Sequence, residues 1–164
     1  MVKLEIVYDV AHNIAKIEEH IVGGENISLC VHRKGATRAF PAGHPDIPSR
    51  YQNIGQPVLI PGDMGRYSYV MVGKDRAMKE TFGSSCHGAG RAQSRSAAKR
   101  LLKGQDTIHE LKEKGIMVKS SNIHTIAEEA SQAYKDIADV IEVMQGAGIA
   151  CKVAKIKPMG VIKG

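Results

Sequence analysis

The stretch GSSCHGAGRAQ at residues 83–93 is the clearest candidate for chemistry, because it sets one histidine, His87, among small residues. Gly88, Ala89 and Gly90 follow it and allow a ligand to approach the backbone closely. We expect a helix to begin here, so that its free N–H groups hold a phosphate beside the imidazole. The positive end of the helix dipole would keep the ring neutral and nucleophilic. The pattern predicts a histidine that forms a phosphoramidate; a turn histidine that caps the helix is the alternative.

The segment after His87 is strongly basic. No Asp or Glu occurs between Thr81 and Gln105, and cations recur at four-residue spacing: Arg91, Arg95, Lys99 and Lys103. On a predicted helix over residues 88–103, closed by Gly104, these side chains share one face and repel one another by roughly a few tenths of a kcal/mol per pair. A phosphate backbone would offset that repulsion. The pattern therefore favours nucleic-acid binding, with a solvated charged face as the alternative.

A second histidine, His12, lies at a predicted junction between a strand and a helix. An imidazole there suits Zn, Mn or Fe. One histidine does not make a metal site, so a histidine in the first turn of a helix is the alternative.

Other candidate motifs are weaker. The pairs Cys30/His32 and Cys86/His87 match no ordinary zinc spacing. Residues 65–75 do not form a phosphate loop, because seven residues separate its two glycines and an Asp follows the Lys where Ser or Thr is needed.

Composition narrows the class of protein. The chain has 164 residues, 43% of them hydrophobic, and a net charge of +6, which predicts a single domain over 1–164 and a polyanionic partner. Aromatic residues are few, which argues against a base-stacking platform. Three widely spaced cysteines, no CxxC pair, no signal peptide and no long apolar run indicate a reduced protein of the cytoplasm.

Periodicity predicts an α+β fold with a mixed or antiparallel sheet flanked by helices. We expect strands at 2–10, 27–32, 57–61, 67–72 and 149–157, and a long loop over 33–56. Helices are predicted at 12–20, 75–81, 88–103 and 106–114. A capping box at Thr125–Glu128 predicts one more helix, which runs to Met144.

Several stretches together resemble the RtcB family of GTP-dependent RNA ligases. They are DVAHN at 9–13, VHRKGATR at 31–38, PGDMG at 61–65, SCHGAGR at 85–91 and PMGVIKG at 158–164. The motifs are long and in order, and they extend over the whole chain. The family joins an RNA 3′-phosphate or 2′,3′-cyclic phosphate to a 5′-hydroxyl in tRNA splicing and RNA repair, and it uses GTP and Mn²⁺.

The resemblance implies a role for each matching residue. His87 would accept guanylate, and His12 would be a metal ligand. The implied GMP-binding residues are His12, Asn13, Pro61, Gly62, Asp63, Met64, Ser68, His87, Gly88, Ala89, Gly90 and Lys163. Lys34, Arg91 and Arg95 are the candidates for RNA or phosphate contacts.

The resemblance reaches only the C-terminal portion of the ligase. The family's other metal ligands, which would complete a site for two Mn²⁺ ions, have no counterpart in this sequence, so we expect this chain alone not to guanylylate His87. The implied partners are tRNA halves or broken RNA, the missing N-terminal portion and an archease-type activator. The alternative is a non-catalytic RNA-binding domain that uses the basic helix 88–103.

Overall fold

The computed structural model describes residues 3–164, which form two compact units. The first unit comprises the described residues up to Leu59 together with Val70–His87 and Met144–Val153. The second unit comprises Ile60–Tyr69, Gly88–Val143 and Ala154–Gly164. The single domain expected over 1–164 stays a prediction.

A long antiparallel hairpin opens the first unit. β1 (Asn13–Val22) pairs with β2 (Glu25–Lys34) over ten residues, from Asn13↔Lys34 to Val22↔Glu25. The helix predicted at 12–20 is therefore wrong, whereas the strand at 27–32 is confirmed within β2. The strand predicted at 2–10 is also wrong, because residues 3–10 have no regular secondary structure; Val2 lies outside the described residues.

The failure at 12–20 has a physical cause in the burial pattern of β1. Residues two apart share one face of a strand, and the face that is turned inward carries the polar side chains of Glu18 and His20, which are 5% and 2% exposed. Ile17 and Ile21 lie on the outer face and are 71% and 78% exposed. The prediction assumes that the apolar residues of this segment are buried, but in β1 they are exposed and the polar ones are buried.

The remainder of the first unit contains the start of the 83–93 stretch, up to His87. β3 (Ala36–Arg38) pairs antiparallel with β6 (Ser84–Cys86). The predicted loop over 33–56 is wrong at its start, where β2 ends and β3 follows; beyond β3 it contains only a 3₁₀ turn at Ser49–Tyr51. α1 (Asp75–Thr81) has the predicted bounds. It ends at Phe82, whose φ of 50° is left-handed, and Gly83 continues the turn at φ 61°.

A three-stranded sheet contains the other predicted strands. β4 (Pro57–Ile60), β5 (Ser68–Gly73) and β8 (Ala150–Ile156) lie in the order β4–β5–β8. These strands confirm the predictions at 57–61, 67–72 and 149–157.

The second unit is mainly helical. Its elements are α2 (Arg95–Leu101), α3 (Gly104–Glu113), β7 (Met117–Ser120), α4 (Ile123–Glu128), a 3₁₀ turn at Ser131–Ala133, most of α5 (Ile137–Gly146) and β9 (Gly160–Lys163). β7 and β9 pair in parallel. Met64, Leu111, Ile116 and Ile126 form a buried apolar cluster. The helix predicted at 106–114 is confirmed as α3.

Two helices were predicted too long. The basic helix is only α2, because Ser94 caps it through Ala97 N–H at 3.2 Å and the glycines at 88 and 90 lie outside it. Gly104 begins α3 and does not end α2. The helix over 125–144 is two helices, since Asn122 caps α4 and Asp136 accepts from Ala138 N–H at the start of α5.

The five α-helices and nine strands found in residues 3–164 confirm an α+β fold with mixed sheets. None of the helices that the structure describes is long and apolar enough to cross a bilayer.

Candidate active site

The imidazoles of His12 and His87 stack in the first unit. Their ring centroids lie 4.3 Å apart, with planes inclined by 16°. The His12 carbonyl accepts from Gly35 N–H at 3.0 Å, and the Ala11 carbonyl accepts from the Thr37 hydroxyl at 3.1 Å. Pairing of β6 with β3 brings the residue before His87 opposite Ala36. The two candidate histidines, 75 positions apart in the sequence, are therefore neighbours.

The electrostatics of His87 favour the neutral ring, for a reason other than the predicted one. Burial lowers the pKa of His87, the nearby His12 lowers it further, and a hydrogen bond to its own backbone opposes both. No helix begins at His87, because it follows β6 and α2 starts only at Arg95. The helix-dipole argument is thus wrong, but the lowered pKa still favours the neutral imidazole, in which one ring nitrogen keeps its lone pair.

The donor set does not fit a complete metal centre. Among residues 3–164 no group of three or more His, Cys, Asp or Glu side chains could hold an ion. His12 is exposed and could supply one ligand. Two Mn²⁺ ions would need donors from outside this chain.

In the second unit, the loop after β4 lies against the backbone that follows His87. Ala89 N–H donates to the Pro61 carbonyl at 3.1 Å, and Gly62 N–H donates to the Ser68 hydroxyl at 3.4 Å. A Cβ on Gly62 would lie 2.0 Å from the Tyr67 carbonyl oxygen, so the close turn requires glycine. The structure thus brings together two of the stretches that the sequence singled out.

Two side chains of this loop point away from solvent. The Asp63 carboxylate is fully buried; it accepts from Gly65 N–H at 3.0 Å, forms an ion pair with Arg66 at 2.5 Å, and accepts from the Ser131 hydroxyl. Met64 belongs to the apolar cluster. A guanylate contact at these two positions would run through the backbone, and such a contact stays a prediction.

The predicted basic face is not a row of unpaired cations. Arg91 lies outside α2 and donates to Glu129 at 3.1 Å, to the Tyr134 hydroxyl at 3.1 Å and to the Glu128 carbonyl at 2.6 Å. Lys99 forms an ion pair with Glu128 at 2.7 Å. The absence of acids from 81–105 misleads because α4 supplies them from a distant part of the sequence.

Lys163 lies in the same network, 3.7 Å from Glu129. Arg95 and Lys34 are exposed. Sequence reasoning missed Glu128, Glu129 and Tyr134, because these residues are distant in sequence from the cations that they contact and no local pattern links them. Burial raises the pKa of Tyr134 to about 12, with help from its hydrogen bond to Glu129, so this hydroxyl stays a donor.

Arg91→Ala is expected to lower the free energy of unfolding of the chain by about 2 kcal/mol, because it leaves the Glu129 carboxylate without its main partner. Arg95→Ala is the matched control: that side chain is exposed, so its loss should change stability by less than about 0.5 kcal/mol. Urea denaturation of both variants measures the difference. Equal stability of the two would contradict the structural role of Arg91.

A histidine whose ring stays neutral and which is followed by small residues has the chemistry of a covalent nucleophile. The family model described as tRNA-splicing ligase RtcB matches residues 1–164, and the chain belongs to that family.

Curated relatives agree with the family model. Proteins named tRNA-splicing ligase RtcB are 58% identical in Thermococcus kodakarensis over 99% of this chain, 56% in Archaeoglobus fulgidus over 98%, and 55% in Pyrococcus horikoshii over 98%. The chain spans 34%, 33% and 18% of those relatives, respectively. It therefore corresponds to about a third of the first two relatives and less of the third.

Proposed function

We propose that this chain is the histidine-bearing, C-terminal portion of an RNA ligase of tRNA splicing and RNA repair. The ligase joins RNA ends that carry a 3′-phosphate or a 2′,3′-cyclic phosphate to 5′-hydroxyl ends. Family membership supports the reaction, and the stack of His12 on His87 is the observation that carries the proposal to named residues.

The reaction proceeds through His87. A neutral ring nitrogen attacks the α-phosphorus of GTP, a P–N bond forms, and the P–O bond to pyrophosphate breaks. An oxygen of the RNA 3′-phosphate then attacks the same phosphorus, which breaks the P–N bond and returns the electron pair to His87. The 5′-hydroxyl of the second RNA attacks the activated 3′-phosphate, loses its proton and releases GMP. A cyclic end must first be opened by water.

Other residues bind and orient the reactants. In the first unit, His12 and Asn13 border the guanylate, and Lys34 contacts RNA phosphate. In the second unit, the proposed GMP contacts are Pro61, Gly62, Asp63, Met64, Ser68, Gly88, Ala89, Gly90 and Lys163, and Arg91 and Arg95 contact RNA. Arg91 must then exchange its contact with Glu129 for one with phosphate, and Lys163 must leave Glu129 to close over the guanine.

His12 would be the contribution of this chain to a site for two Mn²⁺ ions. When bound, the metal polarises the phosphoryl groups and neutralises developing charge. The other ligands would come from the N-terminal portion of the ligase. We also propose an archease-type activator as a partner and the cytoplasm as the location.

The alternative, a non-catalytic RNA-binding domain that uses residues 88–103, has lost its main support. The helix there is α2 alone, and two of the four regularly spaced cations are paired with the last residue of α4 and with the C-cap that follows it.

Incubation with GTP labelled at the α-phosphate and with Mn²⁺ tests the proposal. We expect the 164-residue chain alone to remain unlabelled and to become labelled when the N-terminal portion of a relative is added in trans or by fusion. Labelling of the chain alone would contradict the need for outside ligands. A folded, completed protein that takes up no label would contradict the ligase assignment.

A further inference from the structure

A buried ion pair lies on the inner face of the hairpin of β1 and β2 in the first unit. Arg33 on β2 donates to both carboxylate oxygens of Glu18 on β1, at 2.7 and 2.8 Å. Their side chains are 1% and 2% exposed. Such bidentate geometry fixes the orientation of both groups.

The same guanidinium also binds the turn that precedes β6. Its Nε donates to the Ser84 hydroxyl at 2.8 Å, and its Nη2 donates to the Phe82 carbonyl at 2.7 Å. Phe82 has a left-handed φ of 50°, a conformation that costs free energy in a residue other than glycine. Arg33 thus pairs with the carbonyl of a residue held in an unfavourable conformation, two positions before β6 begins.

These contacts join the two segments that carry the stacked histidines. β1 begins one residue after His12, and β6 ends one residue before His87. Glu18 connects Arg33 to β1, and Ser84 connects Arg33 to β6. The side chains of Phe40 and Phe82 surround the network: Arg33 lies 5.9 Å from the Phe40 ring, and His20 contacts the Phe82 ring edge to face.

We propose that Arg33, oriented by Glu18, is a positioning residue that sets the place of the His87 ring against that of His12. The inference rests on the proposed role of His87, because the position of that ring matters for catalysis only if it accepts guanylate. Arg33 itself touches neither ring; it acts through Ser84 and the turn at Phe82.

Stability alone does not account for this arrangement. Replacing a buried ion pair with apolar residues of similar volume is often neutral or stabilising. An apolar pair would fill the space, but it would leave the Phe82 carbonyl and the Ser84 hydroxyl without their Arg33 partner. The planar guanidinium makes four hydrogen bonds, two to Glu18 on β1 and two to the segment from Phe82 to Ser84. It therefore fixes these two segments relative to each other.

The first experiment measures the ring contact in the 164-residue chain, without metal or nucleotide. In a chain with isotope-labelled histidine, the His12 and His87 rings should give nuclear Overhauser cross-peaks. We expect Arg33→Lys, which keeps the charge but not the fork of donors, to lose those cross-peaks while the rest of the spectrum stays folded. Ser84→Ala removes the bond from Arg33 to β6, together with a long 3.4 Å contact of that hydroxyl with the Phe82 carbonyl, and should weaken the cross-peaks. It is the variant to use if Arg33→Lys does not fold.

Gln52→Ala is the matched control. It removes two hydrogen bonds, to the carbonyls of His44 and Ile47, in the same unit and away from β6. We expect it to lower stability but to keep the cross-peaks. Cross-peaks of full intensity in folded Arg33→Lys and Ser84→Ala would overturn the proposal, as would their equal loss in Gln52→Ala.

A second readout uses the ligase completed with an N-terminal portion. Arg33→Lys should slow guanylylation by about 100-fold with the KM for GTP unchanged, since misplacement of a reacting group by about 1 Å has an effect of that order. If the wild-type completed ligase takes up no guanylate, the proposed function fails while the ring contacts still decide the positioning role. Guanylylation of Arg33→Lys at the wild-type rate would contradict the positioning role of Arg33 but not the proposed function.

Discussion

His87→Ala should abolish guanylate labelling of the completed ligase, with a loss on the order of 10⁴-fold or more in the rate of adduct formation. Removal of the nucleophile in covalent catalysis leaves only binding and positioning to act. The measurement is transfer of label from GTP to protein, followed by mapping of the labelled peptide. RNA sealing should fall in parallel, because the adduct precedes it.

His109→Ala provides the control for this prediction. His109 is exposed on α3, and its side chain pairs only loosely with Glu113 at 3.3 Å. Labelling should therefore be unchanged in that variant. A stable adduct in His87→Ala, mapped to another residue, would refute the assignment of the nucleophile. Unchanged RNA affinity in His87→Ala would show that RNA binding and nucleophilic chemistry are separate properties.

Glu18→Ala should lower the free energy of unfolding of the chain by about 3–5 kcal/mol, because it leaves the Arg33 charge buried without its partner. Urea denaturation, monitored by circular dichroism, measures this loss. Glu19→Ala is the matched control, since Glu19 is the exposed neighbour on the outer face of β1 and should change stability by less than about 0.5 kcal/mol.

The double variant Glu18→Leu/Arg33→Met should recover part of the stability lost in Glu18→Ala, since neither buried charge remains but the Ser84 hydroxyl and the Phe82 carbonyl still lose Arg33. The ion pair also makes stability depend on pH. Burial raises the pKa of Glu18, but the hydrogen bonds and charges of Arg33 and His20 outweigh it, and the net pKa lies below its ordinary value of 4.5. Its contribution is therefore present above that value and lost as the pH falls through the folded pKa. A loss in Glu18→Ala no larger than in Glu19→Ala would contradict the buried pair.

The sequence predicts best those elements whose burial follows ordinary periodicity. α1 has the predicted bounds, and β4, β5 and β8 lie where alternation of apolar residues indicates strands. The same reasoning fails for β1, because its buried face is polar. The four-residue spacing of Ile17 and Ile21 is also the spacing of one face of a helix. The stabilising partner of Glu18 is Arg33, and no local pattern shows that they pair.

In the candidate site, too, local sequence predicts some features and misses those that depend on distant contacts. Small residues beside His87 indicate a phosphate-related role, and the neighbouring motifs indicate the family. The stack on His12 and the pairing of Arg91 with Glu129 depend on contacts between distant segments, so periodicity and motif spacing do not reveal them. A lowered pKa of His87 still favours the neutral ring that the sequence predicts, but its causes are burial and a second imidazole instead of a helix dipole.

The two acids at the C-terminal end of α4 also change how the second unit would bind a polyanion. Glu128 and Glu129 act as built-in counterions for Lys99 and Arg91. A cation that is already neutralised by its own protein has fewer salt ions to release when a phosphate replaces the carboxylate. The affinity of this unit for RNA would therefore depend less steeply on salt concentration than its number of basic residues suggests. In the proposed complex, Arg91 and Lys99 would exchange a carboxylate for a phosphate.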